Sequence, residues 1–286
     1  MAKLIAFIDG SVYSESVCDH AAWIAGRTGA EVEVLHVLGR RELSTVPGKG
    51  NLSGSIGLGA RSALLEQLAE SDAQAAKLAQ ERGRAILADA KARIEADGVA
   101  EVGTRLRNAD IVETIQEYEA GADLVVIGKR GLAADFARLH LGSNLERVVR
   151  SSTKPVLVAS RAFKPIKKVL IAFDGGRSVT KAVDFIAGLQ GFDGLDFRLL
   201  AVGDETDAMR QKIEAARDVL REAGHIADAR IEPGQPEKII AEMSEVGETD
   251  MLLMGAYGHS RIRNFIIGST TTEMLRSCRI PVMLFR

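Results

Sequence analysis

Residues Leu4–Ser11 read LIAFIDGS, and residues Val169–Gly176 read VLIAFDGG. Both segments are apolar runs that end in an Asp-Gly pair, and Asp9 matches Asp174 at an offset of 165 residues (174 minus 9). The same offset relates GAEVEVLHV at 29–37 to GLDFRLLAV at 194–202. Similarity that recurs at one offset indicates an internal repeat. The sequence therefore predicts a tandem duplication.

The later parts of the two copies also match, but the first copy is longer. DLVVIGKRG at 123–131 matches DMLLMGAYG at 250–258, and KPVLVAS at 154–160 matches IPVMLFR at 280–286. The extra residues fall at about 39–98, where a Gly- and Ser-rich loop to about residue 62 precedes an Ala-rich stretch that predicts a helix except at Gly83. We predict a first domain at 1–160, a linker at 161–166 and a second domain at 167–286.

Each copy alternates apolar runs with helical patterns. LIAFI, VEVLHV, LVVIG and PVLVA are typical of parallel strands buried on both faces. Between such runs lie stretches like SVTKAVDFIAGLQ, where apolar residues recur at helical spacing at Val179, Ala182, Val183, Ile186 and Ala187. This alternation predicts an α/β fold with a doubly wound parallel sheet. Ligands of such sheets bind beyond the carboxyl ends of the strands, where the strand order reverses.

Composition limits the classes of function. The 286 residues are enough for two domains, and 46% hydrophobic with 27% charged residues is an ordinary globular balance. A net charge of −2 and a pI near 6.3 indicate no attraction to nucleic acid or anionic membrane. Cys18 and Cys278 show no metal or redox spacing, and no apolar run is long enough for a signal-peptide core or a membrane span. We therefore expect a cytoplasmic protein with free thiols.

The stretch GAYGHSRIRNFIIGSTTTEML at 255–275 is the strongest candidate for a site. Gly255 ends a buried apolar run and Gly258 lies in the following turn, where glycine lets backbone N–H groups approach an anion. Gly268-Ser269-Thr270 precedes a helical pattern, and a helix N-terminus favours phosphate. Alternatively, Ser269 or Thr270 caps that helix and the glycines only form tight turns.

The spacing Gly255-x2-Gly258-x9-Gly268-Ser269-Thr270 resembles the nucleotide-binding signature of the universal stress protein (UspA) family. The resemblance extends over nearly the whole chain as two tandem domains. It implies two five-stranded, doubly wound, parallel-sheet domains of the Rossmann-like, adenine nucleotide alpha hydrolase-like type. The subclass with this signature is similar to ATP binders, so the implied cofactor is ATP, with or without Mg²⁺.

The resemblance also implies roles for residues of the second copy. Asp174 would hydrogen-bond the ribose, the backbone at Ala172 and Phe173 together with Val202 would frame the adenine, and Met254 would line the nucleotide slot beside Gly255. The phosphates would be held by the signature residues and their neighbours, namely Gly258, His259, Gly268, Ser269, Thr270 and Thr271.

The first copy departs from the signature. The corresponding positions are Asp9, Val37, Gly128, Gly131, Gly142, Ser143 and Asn144. The second gap is one residue longer, Asn144 replaces Thr270, and Lys129 and Arg130 replace Ala-Tyr. These two charges either neutralise phosphate or are solvated loop residues. We expect the first domain to bind nucleotide weakly or not at all.

Two side chains leave alternatives open. Asp174 is either a ligand contact or the N-cap of the following helix. His259 either contacts phosphate and assists hydrolysis, or is a bystander in a loop. We identify no catalytic residue, and a metal site is undetermined. Acidic residues cluster in sequence near strand two of the second copy, namely Asp193, Asp196, Asp204, Glu205 and Asp207. We expect most of them to form a solvated rim, although an Mg²⁺ that accompanies ATP could use one of these carboxylates.

The sequence thus predicts a cytoplasmic stress-response protein that binds ATP in its second domain and regulates rather than catalyses. The alternatives are a slow ATPase or nucleotide hydrolase, and an interaction scaffold that needs no nucleotide. The resemblance implies that the two domains pair within the chain through their last strands, PVLVAS and PVMLFR. Whether the chain also forms a homodimer is left open.

Overall fold

A computed structural model describes residues 1–39, 58–131, 143–256, 272, 274–276 and 278–286. The strands are β1 Lys3–Ile8, β2 Glu31–Val37, β3 Val102–Arg107, β4 Leu124–Gly128, β5 Val156–Ala159, β6 Lys168–Ala172, β7 Asp196–Val202, β8 Ile226–Glu232, β9 Met251–Gly255 and β10 Val282–Phe285. The helices are α1 Ser14–Thr28, α2 Leu58–Ala96, α3 Ile111–Tyr118, α4 Ser143–Ser151, α5 Arg177–Ala187, α6 Asp207–Glu222 and α7 Pro236–Glu245. Residues 272 and 274–276 are also helical.

The ten strands within the described residues form one sheet, in the order β3-β2-β1-β4-β5-β10-β9-β6-β7-β8. Neighbouring strands are parallel within each copy, and only β5 and β10 are antiparallel, with Leu157 opposite Met283. The predicted pairing of PVLVAS with PVMLFR within the chain is confirmed. The two five-stranded parallel halves are therefore joined edge to edge into a continuous sheet.

Helices cover both faces of this sheet, as the predicted doubly wound fold requires. One apolar core contains buried residues of α1, α2, α5 and α6, and the core on the opposite face contains residues of α3, α4 and α7. Both cores include residues of both copies. In α5 the predicted helical spacing is correct, since Val179, Ala182, Val183 and Ile186 are all buried.

The insertion of the first copy forms a helix that is longer than predicted. α2 runs without interruption from Leu58 to Ala96, and the long helix includes Gly83, the one residue that the predicted helical pattern left out. A Cβ atom on Gly83 would lie 2.7 Å from Cδ1 of Leu106 and 3.0 Å from Cδ2 of His36. Glycine is therefore present because α2 packs closely on β2 and β3, not because the helix ends there. The predicted loop that precedes α2 lies mostly outside the described residues.

A second contact joins the copies through α1. Trp23 lies 5.6 Å from Phe192 and 6.4 Å from Phe163, measured between ring centroids. The Arg27 side chain donates hydrogen bonds to the carbonyl oxygens of Gly191 at 2.7 Å and Asp193 at 2.6 Å.

Among the described helices, none combines the length and the apolar character that a bilayer crossing requires.

Candidate functional site at the carboxyl ends of β6 and β9

The strand order of the second copy reverses between β6 and β9. β6 has β7 on one side and β9 on the other, and Ala172 is opposite Met254 in the parallel register. The chain leaves these two strands at Phe173 and at Ala256. An edge of a parallel sheet where the strand order reverses is where such sheets bind ligands. The predicted residues on both strands are thus brought together at this edge.

The turn after β6 presents Asp174 to solvent. The backbone N–H of Phe173 continues the sheet by donating to the carbonyl of Leu200 at 2.8 Å. The exposed Asp174 carboxylate accepts a hydrogen bond from the N–H of Gly176 at 2.8 Å, and Gly175 between them has a φ of +67°. Gly176 is the N-cap of α5 and carries no side-chain cap. The N-cap interpretation of Asp174 is therefore wrong, because its carboxylate closes the turn before the helix.

Gly255 lies against the first turn of α5. A Cβ atom at this position would be 3.0 Å from Cβ of Ser178 and 3.8 Å from the backbone nitrogen of Val179. A larger residue would press into that turn, so glycine allows β9 to end beside the helix N-terminus. Because α5 has no side-chain cap, its first N–H groups form an electropositive end that suits an anion at this edge.

Apolar side chains lie at the ends of three neighbouring strands at this edge. Ala172, Val202 and Met254 belong to one apolar cluster, in which Met254 is buried and the other two are half-buried. Phe173 is buried in the core on the opposite face, so only its backbone faces the edge. The other predicted residues of the second copy lie outside the described residues, namely Gly258, His259, Gly268, Ser269, Thr270 and Thr271.

The corresponding edge of the first copy is filled by its own side chains. Asp9 accepts a hydrogen bond from the N–H of Ser11 at 3.0 Å, and a Cβ atom on Gly131 would lie 2.6 Å from Oδ2 of Asp9. Tyr13 occupies the place of Ser178, since a Cβ atom on Gly128 would lie 2.8 Å from the Tyr13 Cβ. The loop after β4 therefore packs directly onto the carboxylate that corresponds to Asp174.

A side chain from α2 also covers the turn after β1, at Gly10. A Cβ atom on Gly10 would lie only 2.6 Å from Cδ1 of Ile86, which comes from α2.

Of the remaining first-copy positions, Val37 is half-buried, Ser143 begins α4, Asn144 is exposed, and Gly142 lies outside the described residues. The resemblance did not identify Tyr13 or Ile86, although alignment of the two repeats places Tyr13 opposite Ser178.

Lys129 plays neither of the two roles considered for it. Its Nζ donates to the carbonyl oxygens of Arg276 at 3.2 Å and Cys278 at 2.8 Å, where the helical residues 274–276 of the second copy end. Burial lowers the pKa of this amine to about 8. Lys129 therefore joins the two copies instead of facing a phosphate or bulk solvent.

No group of His, Cys, Asp and Glu side chains within the described ranges could hold a metal ion. In the acidic segment around β7 and the start of α6, Glu205 forms an ion pair with Arg210 at 2.7 Å, and Asp207 lies in the first turn of α6. These carboxylates are exposed, as expected of a solvated rim.

Comparison with known proteins identifies the family. The model of the universal stress protein family matches residues 1–160 and 200–286. The chain belongs to the universal stress protein family. The universal stress protein Slr1230 of Synechocystis sp. is 37% identical over 289 residues, which cover 100% of both proteins. The tandem arrangement predicted from the repeats is thus shared over the full length of a relative.

A solved structure of similar length agrees with the fold. A universal stress protein from Archaeoglobus fulgidus superposes with a TM-score of 0.69 at 20% identity, covering 99% of this chain and 97% of that one. A universal stress protein crystallised in complex with cAMP covers 43% of this chain at a TM-score of 0.37 and 20% identity. The first comparison supports the two-copy Rossmann-like architecture of this universal stress protein.

Proposed function

We propose that this universal stress protein binds ATP in its second copy and acts as a nucleotide-responsive regulatory protein in the stress response, with slow or no hydrolysis. The observation that supports the proposal is the contrast between the two switch points. Asp174 is exposed above a small Ser178, whereas Asp9 is covered by the Gly131 backbone and flanked by Tyr13. Among the described residues, the Asp174 carboxylate is therefore the more accessible of the two to a ligand.

Each part of the second-copy edge matches one part of an adenine nucleotide. The Asp174 carboxylate has an oxygen available to accept hydrogen bonds from ribose hydroxyls. The apolar cluster of Ala172, Val202 and Met254 suits the adenine ring. The uncapped N-terminus of α5 beside Gly255 suits a phosphate, and we assign the rest of the phosphate contacts to the glycine signature that follows β9.

We infer a regulatory role from the signature itself. It supplies backbone for anchoring phosphate but no evident general base or arginine finger, so efficient phosphoryl transfer is not implied. We also propose a cytoplasmic location, which agrees with two buried cysteines that are not disulfide-bonded.

The test is a calorimetric titration of nucleotide-stripped protein with Mg-ATP, read as the number of sites per chain. We expect one site. Asp174→Asn removes the charge but keeps the shape of the side chain, and should weaken binding about tenfold, since a hydrogen bond to a charged group contributes roughly 1.5–3 kcal/mol. The same titration is repeated with ADP, AMP, adenosine and cAMP.

The matched control is Asp9→Asn, the same substitution in the other copy. It should leave both the affinity and the stoichiometry unchanged, provided that thermal unfolding shows both variants to be folded. Two sites per chain, or a loss of affinity in Asp9→Asn alone, would contradict the second-copy assignment. The absence of both heat and thermal shift would favour the nucleotide-independent scaffold, and rapid phosphate release would favour the hydrolase.

A further inference from the structure

One lysine of the second copy reaches the turn beside Asp174 from a different element. α6 begins at Asp207, and its first two turns lie over Gly175. A Cβ atom on Gly175 would lie 3.2 Å from Cδ and 3.7 Å from Nζ of Lys212, and 3.7 Å from Cε of Met209. The Lys212 side chain is therefore folded back across the turn, and its ammonium group lies at the carboxyl end of β6.

This ammonium group has no ion-pair partner within the described part of the chain. The neighbouring cation Arg210 is already neutralised, because it forms an ion pair with Glu205 at 2.7 Å. A long, flexible side chain loses conformational entropy when it is held in one place. An unpaired cation held beside an exposed Asp174 is thus a candidate for contact with a ligand that carries negative charge.

The first copy places an apolar side chain at the same position. Gly98 and Gly224 end the two equivalent helices with the same φ of +90°, and counting back from them aligns Ile86 with Lys212. Both side chains lie against the equivalent glycines, Gly10 and Gly175. The duplicated turn is therefore covered by a hydrocarbon in one copy and by a cation in the other.

We propose that Lys212 is a ligand-binding residue that selects phosphate-bearing nucleotides in the second copy, by pairing its ammonium group with a phosphate oxygen. This inference rests on the proposed nucleotide binding, and it adds the residue that distinguishes a nucleotide from its uncharged nucleoside. A charged pair of this kind contributes to the affinity of the anionic ligand alone and weakens as salt screens it.

The experiment measures the affinity of ATP, AMP and adenosine for the wild type, Lys212→Ile and Lys212→Arg, at low and high salt. Lys212→Ile introduces the side chain of the first copy. We expect it to weaken ATP about fivefold to tenfold at low salt and adenosine less than twofold, and to reduce the salt dependence of ATP binding. Lys212→Arg keeps the charge and should retain most of the affinity.

Lys238→Ile is the control, because Lys238 is an exposed lysine on α7, which packs on the opposite face of the sheet. It should leave all three affinities unchanged. If wild type binds ATP and Lys212→Ile binds it equally well, the role of Lys212 is refuted while the proposed function stands. An equal loss for ATP and adenosine would also refute it, since the side chain would then only affect the shape of the site. If wild type binds no nucleotide, both proposals fail.

Discussion

Gly191 shows how a single residue controls the contact between the copies. Its φ is +96°, and a Cβ atom there would lie 1.9 Å from the carbonyl oxygen of Arg27. Gly191→Ala should therefore cost both backbone strain and displacement of α1. Gly194 has a φ of +76° but open space around its Cα, so Gly194→Ala should cost only the strain, about 1–2 kcal/mol.

We expect Gly191→Ala to lower the free energy of unfolding by at least about 2 kcal/mol more than Gly194→Ala does, because the overlap is with backbone. Urea denaturation of both variants measures the difference. Equal losses would show that α1 moves away from the loop at little cost.

His20 predicts a response to acid. Its ring is fully buried, Nδ1 donates to the carbonyl of Ser16 at 2.6 Å, and Nε2 has no hydrogen-bond partner among the described residues. Burial lowers the pKa of His20 below its ordinary value of 6.5, although the hydrogen bond to the Ser16 carbonyl and the charge of Asp19 partly oppose the shift. Between the folded pKa and 6.5 the unfolded chain binds more protons, so stability falls as the pH falls through this range.

His20→Leu replaces the titrating imidazole with an apolar side chain of similar size. We expect the wild type to lose stability relative to this variant when the pH is lowered from 7.5 to 5. The measurement is the urea midpoint of each protein at both pH values. Parallel losses in the two proteins would mean that His20 does not contribute to the acid response.

The sequence predicted those site residues that belong to the internal repeat or to the nucleotide-binding signature. Asp174, Gly255, Ala172 and Met254 do meet at one edge, because strand ends in a parallel sheet converge. For the first copy, the departures from the signature predict only that nucleotide binds weakly or not at all. The structure adds contacts between segments far apart in sequence, such as Ile86 on Gly10, and these follow from packing that no local pattern reveals.

At the scale of secondary-structure elements, α2 contains Gly83, a residue of low helix propensity that close packing nevertheless favours. Gly83→Ala should improve helix propensity by about 1 kcal/mol. Its Cβ would however lie 2.7 Å from Leu106, so we expect a net loss of about 1–3 kcal/mol. Gly26→Ala in α1 is the control, since no atom lies within 4 Å of its Cβ position, and it should stabilise the protein.

Thermal unfolding of the two alanine variants separates propensity from packing. Opposite signs are expected for Gly83→Ala and Gly26→Ala. If both variants are stabilised, α2 does not pack on β2 and β3 as closely as the structure indicates.

The strands at the two ends of the sheet are the elements that the sequence did not reveal. β3 reads VGTRLR and β8 reads IADARIE, and each interleaves charged residues with apolar ones. Strands at an edge are only partly buried, so they lack the continuous apolar run that identified the central strands. Their presence followed only from the family resemblance, which implied five strands in each copy.

At the scale of the molecule, the two copies should unfold together. Both apolar cores run across the junction between the copies. The single tryptophan, Trp23, reports on this junction through its contacts with Phe163 and Phe192. We expect tryptophan fluorescence and far-UV circular dichroism to give the same urea midpoint. A fluorescence change that precedes the loss of helix would instead indicate that the copies separate before they unfold.

The junction also shows an approximate two-fold relationship. Lys129 of the first copy donates to carbonyl oxygens at the end of helical residues 274–276, and Arg286 of the second donates to the carbonyl of Arg150 in α4 at 2.6 Å. A cation at a helix C-terminus interacts favourably with the helix dipole. Each copy thus stabilises the end of a helix in the other.

The antiparallel pairing of β5 with β10 holds the two halves together even when the protein is very dilute. Two separate chains joined along such an edge would come apart once their concentration fell below the dissociation constant. Here both strands belong to one polypeptide, so each half meets the other at an effective concentration set by the connecting chain, on the order of millimolar for short linkers. The joined state therefore persists in a cell that holds only a few molecules of the protein.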